Sequence, residues 1–136
     1  MKSINIKGKE YITVSERVRE FNIQFPLGSI TTELVTPVDS KLIIIKATIT
    51  VPSLAKLITD NSVQLQQTRT FTGYSQAVVG DGMVNKTSAL ENAETSAVGR
   101  ALGFMGIGIV DSIASADEMA KAGVVKKVSN QDEAPF

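Results

Sequence analysis

The chain has 136 residues, of which 43% are hydrophobic and 21% charged, a composition typical of one globular domain with a modest core. It contains 14 basic and 14 acidic residues, so the net charge is zero, and it contains no cysteine and no histidine. Disulfides, thiol nucleophiles, thiolate metal sites and histidine-based acid–base catalysis are therefore excluded. The composition favours a binding protein that is not an enzyme and needs no metal or cofactor.

Hydropathy along the chain predicts no association with a membrane. No apolar run approaches the roughly 20 residues that a membrane span requires. The first residues also lack the apolar core of a secretory signal. We therefore expect a cytoplasmic protein.

The first predicted helix has a clear start and a clear stop. Thr13 and Glu16 form a capping box, in which Thr13 is the N-cap and Glu16 reaches back to its amide. Apolar residues then recur at helical spacing until Pro26, so the pattern predicts a helix over about residues 14–24. Residues 1–10 are polar with scattered isoleucine and indicate an arm or a short edge strand.

Three segments have the patterns of β-strands. Residues 29–36 are largely β-branched, and a break that begins at Pro37 separates them from residues 41–51. The second segment alternates strictly, and its apolar face consists of Ile43, Ile45, Ala47, Ile49 and Val51. These two segments predict a β-hairpin. Residues 63–77 have glutamine and threonine at alternate positions and predict a third strand with one hydrated face.

A longer helix is predicted after the turn at residues 80–82. Ser88 opens a second capping box, and the helix is expected over about residues 88–104. One face has mostly small residues, namely Leu90, Ala93, Ala97, Ala101 and Phe104. Together with Gly99 and Gly103, these allow close approach to a sheet or a neighbouring subunit; the alternative is that small residues simply fit a tight core.

The last part of the chain predicts little regular structure. Residues 107–110 indicate a short extended segment, and Ser115 caps a last short helix that ends near Ala122. Residues 123–136 show no periodicity and are expected to form a disordered tail, which leaves one folded domain over residues 1–122. The fold class is α+β: a three-stranded antiparallel meander followed by a long helix packed on the sheet, with short flanking helices.

An imperfect phosphate loop precedes the long helix. Gly80 to Thr87 almost matches the G-x-x-x-x-G-K-[ST] pattern, with Asn85 in place of the second glycine. Residues 107–111 resemble the apolar strand and Asp that hold magnesium in nucleotide-binding enzymes. A nucleotide-binding enzyme is therefore the alternative function. That fold needs a parallel sheet with several crossovers, whereas the predicted strands indicate an antiparallel meander.

The same residues also suit a phosphate that is not part of a nucleotide substrate. Lys86, Thr87 and Ser88 lie at the predicted start of the long helix, where backbone amides point outward. A helix start of this kind attracts anions, including the phosphates of a nucleic-acid backbone.

Residues 84–106 closely resemble a run in phage-encoded single-stranded-DNA-binding and annealing proteins, a group similar to the Rad-fifty-two superfamily. The match is most specific in Thr95-x-x-x-x-Arg100-Ala101-Leu102 and extends over roughly residues 10–120. The resemblance implies a β-β-β-α core, a homo-oligomer such as a ring or filament, and sequence-independent binding of single-stranded DNA. It also implies ATP-independent annealing in phage or prophage replication and recombination, within the host bacterial cytoplasm.

The resemblance places the family's helix arginine on Arg100, whereas its other basic helix positions fall on Gly99 and Gly103. The candidate DNA contacts are Lys86, Arg100, Arg69, Lys46, Thr87, Ser88, Asn85 and Tyr74. Tyr74 or Phe71 would stack on a base.

Each cation has an ordinary structural alternative. Arg100 could instead form a salt bridge within the helix or at the core edge, near Glu94 or Ser96. Arg69 and Lys46 could equally belong to a solvated strand surface.

The end of the chain has a second recognisable pattern. The last five residues, Asp132, Glu133, Ala134, Pro135 and Phe136, resemble the acidic tip of bacterial single-stranded-DNA-binding proteins. In such a tip the terminal phenylalanine fills an apolar pocket, while the carboxylates meet Arg or Lys of a partner. The resemblance implies that Asp132, Glu133, Pro135 and Phe136 recruit replication or recombination proteins.

Overall fold

A computed structural model describes residues 1–52, 58–59, 62–63 and 68–121, with the backbone alone at residues 58–59, 62–63 and 83–86. The elements in chain order are β1 (Ser3–Ile6), β2 (Lys9–Ile12), α1 (Val14–Gln24), β3 (Ser29–Leu34), β4 (Leu42–Pro52), β5 (Ile58–Thr59), β6 (Ser62–Val63), β7 (Thr68–Val78) and α2 (Gly82–Met105). A last helix, α3, covers residues 116–121. No described helix is long and apolar enough to cross a membrane.

The central sheet is an antiparallel meander in the order β3-β4-β7. Ser29 pairs with Thr50 at one end of the β3–β4 ladder, and Leu42 pairs with Val78 at one end of the β4–β7 ladder. The predicted α+β class and the β-β-β-α core are therefore confirmed. The third strand begins later than predicted, because Val63 belongs to the small β5–β6 hairpin.

Local sequence signals explain α1. The Thr13 hydroxyl accepts a hydrogen bond from the backbone N–H of Glu16 at 3.2 Å, as an N-cap should. The Glu16 carboxylate pairs with Arg19. The helix ends at Gln24, two residues before Pro26, so both predicted limits are confirmed.

The long helix α2 begins at Gly82, six residues before the predicted start. Its backbone is kinked at Ser88, where φ is −135° and ψ is 34°. The predicted N-cap is therefore a kink inside the helix. Thr87 and Ser88 consequently do not lie at the helix's free amino end, which corrects their predicted position.

Small residues bring α2 directly against β7. A Cβ atom on Gly73 would lie 2.5 Å from the backbone nitrogen of Ala101 and 2.6 Å from the carbonyl oxygen of Ala97. Side chains essentially never come this close to backbone atoms. Gly73 is therefore required for α2 to pack at its observed distance from β7. The predicted close approach of the helix to a sheet is confirmed at Ala97 and Ala101, whereas Gly99 and Gly103 face Val14 and Arg17 of α1.

Turns replace the extended segment predicted at residues 107–110. Gly106 ends α2 with a φ of +99°, and Gly108 also has a positive φ, of +71°. These left-handed residues reverse the chain, so no strand forms and the prediction was wrong. Ser115 caps α3 as predicted, since its hydroxyl accepts the N–H of Glu118 at 3.2 Å.

The two ends of the chain differ in how far the structure describes them. The amino-terminal residues form a hairpin, β1–β2, around a turn in which Lys7 and Gly8 have φ values of +52° and +86°. The predicted tail over residues 123–136 lies outside the described residues, as do the acidic-tip residues within it. The domain boundary therefore stays a prediction.

The sheet has one buried and one open face. Ile45, Ala47 and Ile49 of β4 lie under the helices, in one core with Phe21 of α1 and Leu102 of α2. The alternate residues of the same strands point away from both helices. On the two outer strands these residues are exposed, which shows that no described element covers this face.

Candidate functional site

The open face of the sheet is the surface on which two predicted site residues come together. Lys46 of β4 is the direct cross-strand partner of Tyr74 of β7 and, on its other side, of Glu33 of β3. Directly paired side chains lie on the same face of a sheet, with Cβ atoms about 5 Å apart. The three residues thus form one row across the open face.

Tyr74 presents an accessible aromatic ring in this row, because the residue is 53% exposed. The Lys46 ammonium is 3.9 Å from the Glu33 carboxylate, and their side chains are 32% and 67% exposed. Exposed ion pairs of this length are worth at most about 1 kcal/mol. A stronger anion such as a phosphate could therefore compete with Glu33 for Lys46.

On one side of this row the open face has Ile44 with Gln76 and Leu42 with Val78. On the other side, hydroxyl groups form two neighbouring rows. One row consists of Thr31, Thr48 and Thr72, and the next consists of Ser29, Thr50 and Thr70. A hydroxyl can donate one hydrogen bond and accept others, so the surface offers polar partners without adding charge. We call the three rows together the open-face array.

Arg69 lies on the other face of the sheet from Lys46 and Tyr74. Its guanidinium carbon is 4.9 Å from the centre of the Phe71 ring, and both residues alternate with the open-face residues of β7. Arg69 is exposed, and Phe71 packs partly against the core. Neither side chain can join the open-face array, so the predicted grouping of Arg69 with Lys46 and Tyr74 is corrected.

Arg100 is held by an internal ion pair. Its guanidinium is 3.5 Å from the carboxylate of Glu118 in α3 and lies over the Phe104 ring, 5.5 Å from its centre. Burial raises the pKa of the Glu118 carboxyl, and the nearby Arg100 opposes this rise. The salt-bridge alternative for Arg100 is therefore what the structure shows, although the partner is Glu118 and not a neighbour of Glu94 or Ser96.

The remaining helix candidates do not form a positive surface in the part of α2 that is described. Thr87 is exposed and Ser88 is half-buried at the kink, while the side chains of Asn85 and Lys86 lie outside the described residues. Beyond the kink, Glu91 and Glu94 are exposed. The roles of Lys86, Asn85, Thr87, Ser88 and Arg100 in binding stay predictions.

Arg17 is the charged residue that sequence analysis missed. It is fully buried, and its guanidinium donates to the carbonyl oxygens of Gly99 (2.7 Å), Gly108 (3.2 Å) and Ala114 (3.3 Å). Burial lowers the pKa of this guanidinium, and Glu118 and Asp117 oppose that effect. Arg17 therefore ties α1 to α2 and to the turns that follow it.

A signal for Arg17 exists in the sequence. Val14, Arg17 and Phe21 recur at the spacing of one buried helix face. The glycines at positions 103 and 108 make room for this residue, because a Cβ atom there would lie 2.9 Å from the guanidinium and 2.7 Å from Cγ of Arg17, respectively.

A second group of cations was also overlooked. Lys2, Lys7 and Lys9 are all exposed on or beside the amino-terminal hairpin. The Glu10 carboxylate in the same hairpin accepts hydrogen bonds from Ser3 and Asn5, which lower its pKa. These lysines belong to a surface separate from the open-face array and serve as a useful control.

A groove of about 350 Å³ lies between α1, α2 and β3. Its lining is mainly apolar, with Val14, Val18 and Val98 among the residues that form it. Glu94 also lines the groove and accepts a 2.6 Å hydrogen bond from Thr32. A carboxylate in an apolar groove repels phosphate, so this groove is not a candidate site for an anion.

From α1 to α2, apart from the small β5–β6 hairpin inserted before β7, the elements follow the order α-β-β-β-α, with both helices on one face of an antiparallel sheet. Residues 18–105 match the model of the family described as Slr1353 N-terminal dsRNA-binding domain-like, and the chain belongs to this family. A search of the curated proteins and a search of the solved structures found no match.

Proposed function

We propose that this protein binds single-stranded DNA through the open-face array and does not act as an enzyme. The observation that supports the proposal best is the half-exposed Tyr74 directly beside Lys46 on the uncovered face. Membership of a dsRNA-binding domain-like family supports nucleic acid as the ligand class. An unpaired strand is favoured over a duplex because only unpaired bases offer a face on which Tyr74 can stack.

The chemistry of the array suits binding without sequence preference. A base stacks on the Tyr74 ring, and the adjacent phosphate replaces Glu33 as the partner of Lys46. The hydroxyls of Thr48 and Thr72 lie one row further along the strands and can contact the next sugar or phosphate. Since Lys46 is the charge in the array that phosphate can reach, the salt dependence should be shallow, with a slope of roughly −0.7 per neutralised phosphate.

Fluorescence anisotropy with a labelled oligonucleotide tests the proposal. Tyr74→Ala should weaken binding of single-stranded DNA by roughly 5- to 150-fold, the range for loss of one stacked base, and Tyr74→Phe should retain it. Lys7→Gln together with Lys9→Gln is the control, because these lysines lie on the hairpin. If the hairpin variant and Lys46→Gln lost equal affinity, binding would depend on overall charge and not on the open-face array. That result would contradict the proposal.

The choice of nucleic acid needs its own comparison. Single-stranded DNA, single-stranded RNA, duplex DNA and duplex RNA of equal length are titrated at the same two salt concentrations. We expect single strands to bind more tightly than either duplex. Tighter binding of duplex RNA, unaffected by Tyr74→Ala, would contradict the single-strand proposal and favour recognition of helical shape.

The absence of catalysis is part of the same proposal. A phosphate-loop enzyme needs a parallel sheet, whereas β7, the strand before the loop, runs antiparallel to β4. The Asp111 carboxylate, the counterpart of the magnesium-binding Asp in such enzymes, instead accepts a hydrogen bond from the backbone N–H of Glu10 at 2.8 Å. Magnesium-dependent hydrolysis of ATP or GTP that is lost in Lys86→Ala would overturn this part.

The resemblance to phage proteins extends the proposal to ATP-independent annealing, self-association and recruitment by the acidic tip in replication and recombination. Annealing is measured as duplex formation between complementary oligonucleotides, and Tyr74→Ala should slow it. For the tip, a peptide of residues 130–136 is compared with its Phe136→Ala form for binding to purified replication and recombination proteins. Equal binding of the two peptides would contradict recruitment through the terminal ring.

A further inference from the structure

Among the strands that the structure describes, β7 is an edge strand with an unusually long free side. It has 11 residues and pairs along its whole length with β4 alone in the order β3-β4-β7. The other edge strand, β3, has 6 residues, and its last residue is followed closely by Pro37. The two edges of one sheet therefore differ greatly in the length of backbone that they leave unpaired.

The register shows which backbone groups of β7 point outward. Val79 donates its N–H to the carbonyl of Lys41 at 2.8 Å, so the odd-numbered residues of β7 face β4. The even-numbered residues then direct both N–H and C=O to the free side. These residues are Thr68, Thr70, Thr72, Tyr74, Gln76 and Val78, and all of them are exposed; the Val78 carbonyl also accepts the N–H of Asp81.

Natural edge strands are protected by proline, lysine, bulges or inward-pointing charges. The register of β7 against β4 is continuous from Val78 to Thr68, so it contains no bulge, and the strand has no proline or lysine. Its charged residue is Arg69, next to one end.

We propose that β7 pairs antiparallel with β7 of a second copy of this chain, which joins two sheets into one of six strands. Antiparallel pairing places the two copies of Arg69 near opposite ends of the shared ladder, whereas parallel pairing in register would place them side by side. The outward groups and short uncharged side chains of β7 thus complement their own copy, and the two-fold arrangement closes as a dimer. The inference rests on the proposed self-association and specifies its interface.

The pairing also has a consequence for the open-face array. Even-numbered residues of β7 provide both the outward backbone groups and the open-face side chains. The two arrays therefore become neighbours across the new ladder and form one continuous surface.

Molar mass in the absence of nucleic acid tests the interface. Light scattering after size exclusion, at micromolar to 100 micromolar loading, should give a dimer for the wild type and for Thr72→Val, which keeps the amide. Thr72→Pro and Gln76→Pro remove an outward donor without touching the β4 ladder, and each should give a monomer with an unchanged circular dichroism spectrum. A monomeric wild type, or a dimer retained by both folded proline variants, overturns the proposal.

Amide hydrogen exchange of the unmodified chain gives a second test that needs no variant to fold. Val35 donates its N–H to the carbonyl of Ile44, so the odd-numbered residues of β3 face β4. The amides of Ile30 and Leu34 therefore point outward at the other edge of the sheet and provide the matched control. In the dimer the amides of Thr70, Thr72 and Tyr74 should exchange at least tenfold more slowly than these two. Equal rates overturn the pairing. A monomer that still binds single-stranded DNA refutes this interface and leaves the proposed function standing.

Discussion

The two faces of the central sheet alternate along the same strands, yet they differ in almost every property. The face under the helices consists of Ile43, Ile45, Ala47, Ile49 and Val51 on the central strand, and all of these are buried. The open face has hydroxyls, a lysine and a half-exposed tyrosine, with Leu42, Ile44 and Val78 toward one end. One face therefore stabilises the fold, and the other is free to contact a ligand, so substitutions on the two faces should affect different measurements.

The largest expected effect is a loss of stability on the side of the sheet that the helices cover, at the buried guanidinium of Arg17. Arg17→Met leaves the carbonyls of Gly99, Gly108 and Ala114 without their donor, so we expect a loss of roughly 3–5 kcal/mol in the free energy of unfolding. Chemical denaturation measures it. The control is Arg19→Met on the exposed side of α1, which should change stability by less than about 0.5 kcal/mol. Similar losses in both variants would contradict the role given to Arg17.

The next largest effect is also on stability, and it compares the two faces of the sheet at neighbouring positions of β4. Ile45 is buried and Ile44 is half-buried on the open face of β4. Ile45→Ala should cost about 2–5 kcal/mol through lost burial and the cavity that remains. Ile44→Ala should cost less than half as much. Equal costs in urea unfolding would show that a further element covers the open face.

The smallest expected effect is a change in the pH dependence of stability. Because burial raises the pKa of Glu118 above its ordinary value of 4.5, the folded chain holds this proton more tightly than the unfolded chain. The contribution of Glu118 to the free energy of unfolding therefore falls as the pH rises through the raised pKa. Relative to the wild type, Glu118→Gln should gain stability as the pH rises above the ordinary carboxyl pKa of 4.5. Glu20→Gln on the surface of α1 is the control, and a parallel pH profile for all three proteins would refute the prediction.

The parts of the fold that sequence analysis predicted are those with local causes. Thr13 and Pro26 fix both ends of α1, and the strict alternation of β4 identifies its buried face. The start of α2 and the turns at Gly106 and Gly108 were missed. Glycines before the predicted helix were interpreted as a loop, and an apolar stretch between glycines was interpreted as a strand.

The candidate site was predictable only where alternation alone decides position. Residue numbers already separate Arg69 from Tyr74, since odd and even positions of one strand face opposite ways. The pairing of Lys46 with Tyr74 needed the register between strands, which the sequence does not specify. The ion pair of Arg100 with Glu118 joins residues that are far apart in the chain, and no local pattern reveals it. For Arg17, helical spacing with Val14 and Phe21 indicates the buried face, whereas its carbonyl partners at Gly99, Gly108 and Ala114 could not be predicted from local sequence.

The contact at Gly73 has a consequence for how this chain can vary. The absence of a side chain there sets the distance between helix and sheet, together with Ala97 and Ala101. A larger residue at any one of the three positions would lift α2 and loosen every contact beneath it, and shrinking the other two cannot relieve a clash with backbone atoms. A combinatorial library at these positions should therefore return almost none of the bulky combinations, while Thr70 and Thr72 on the open face of the same strand accept many replacements.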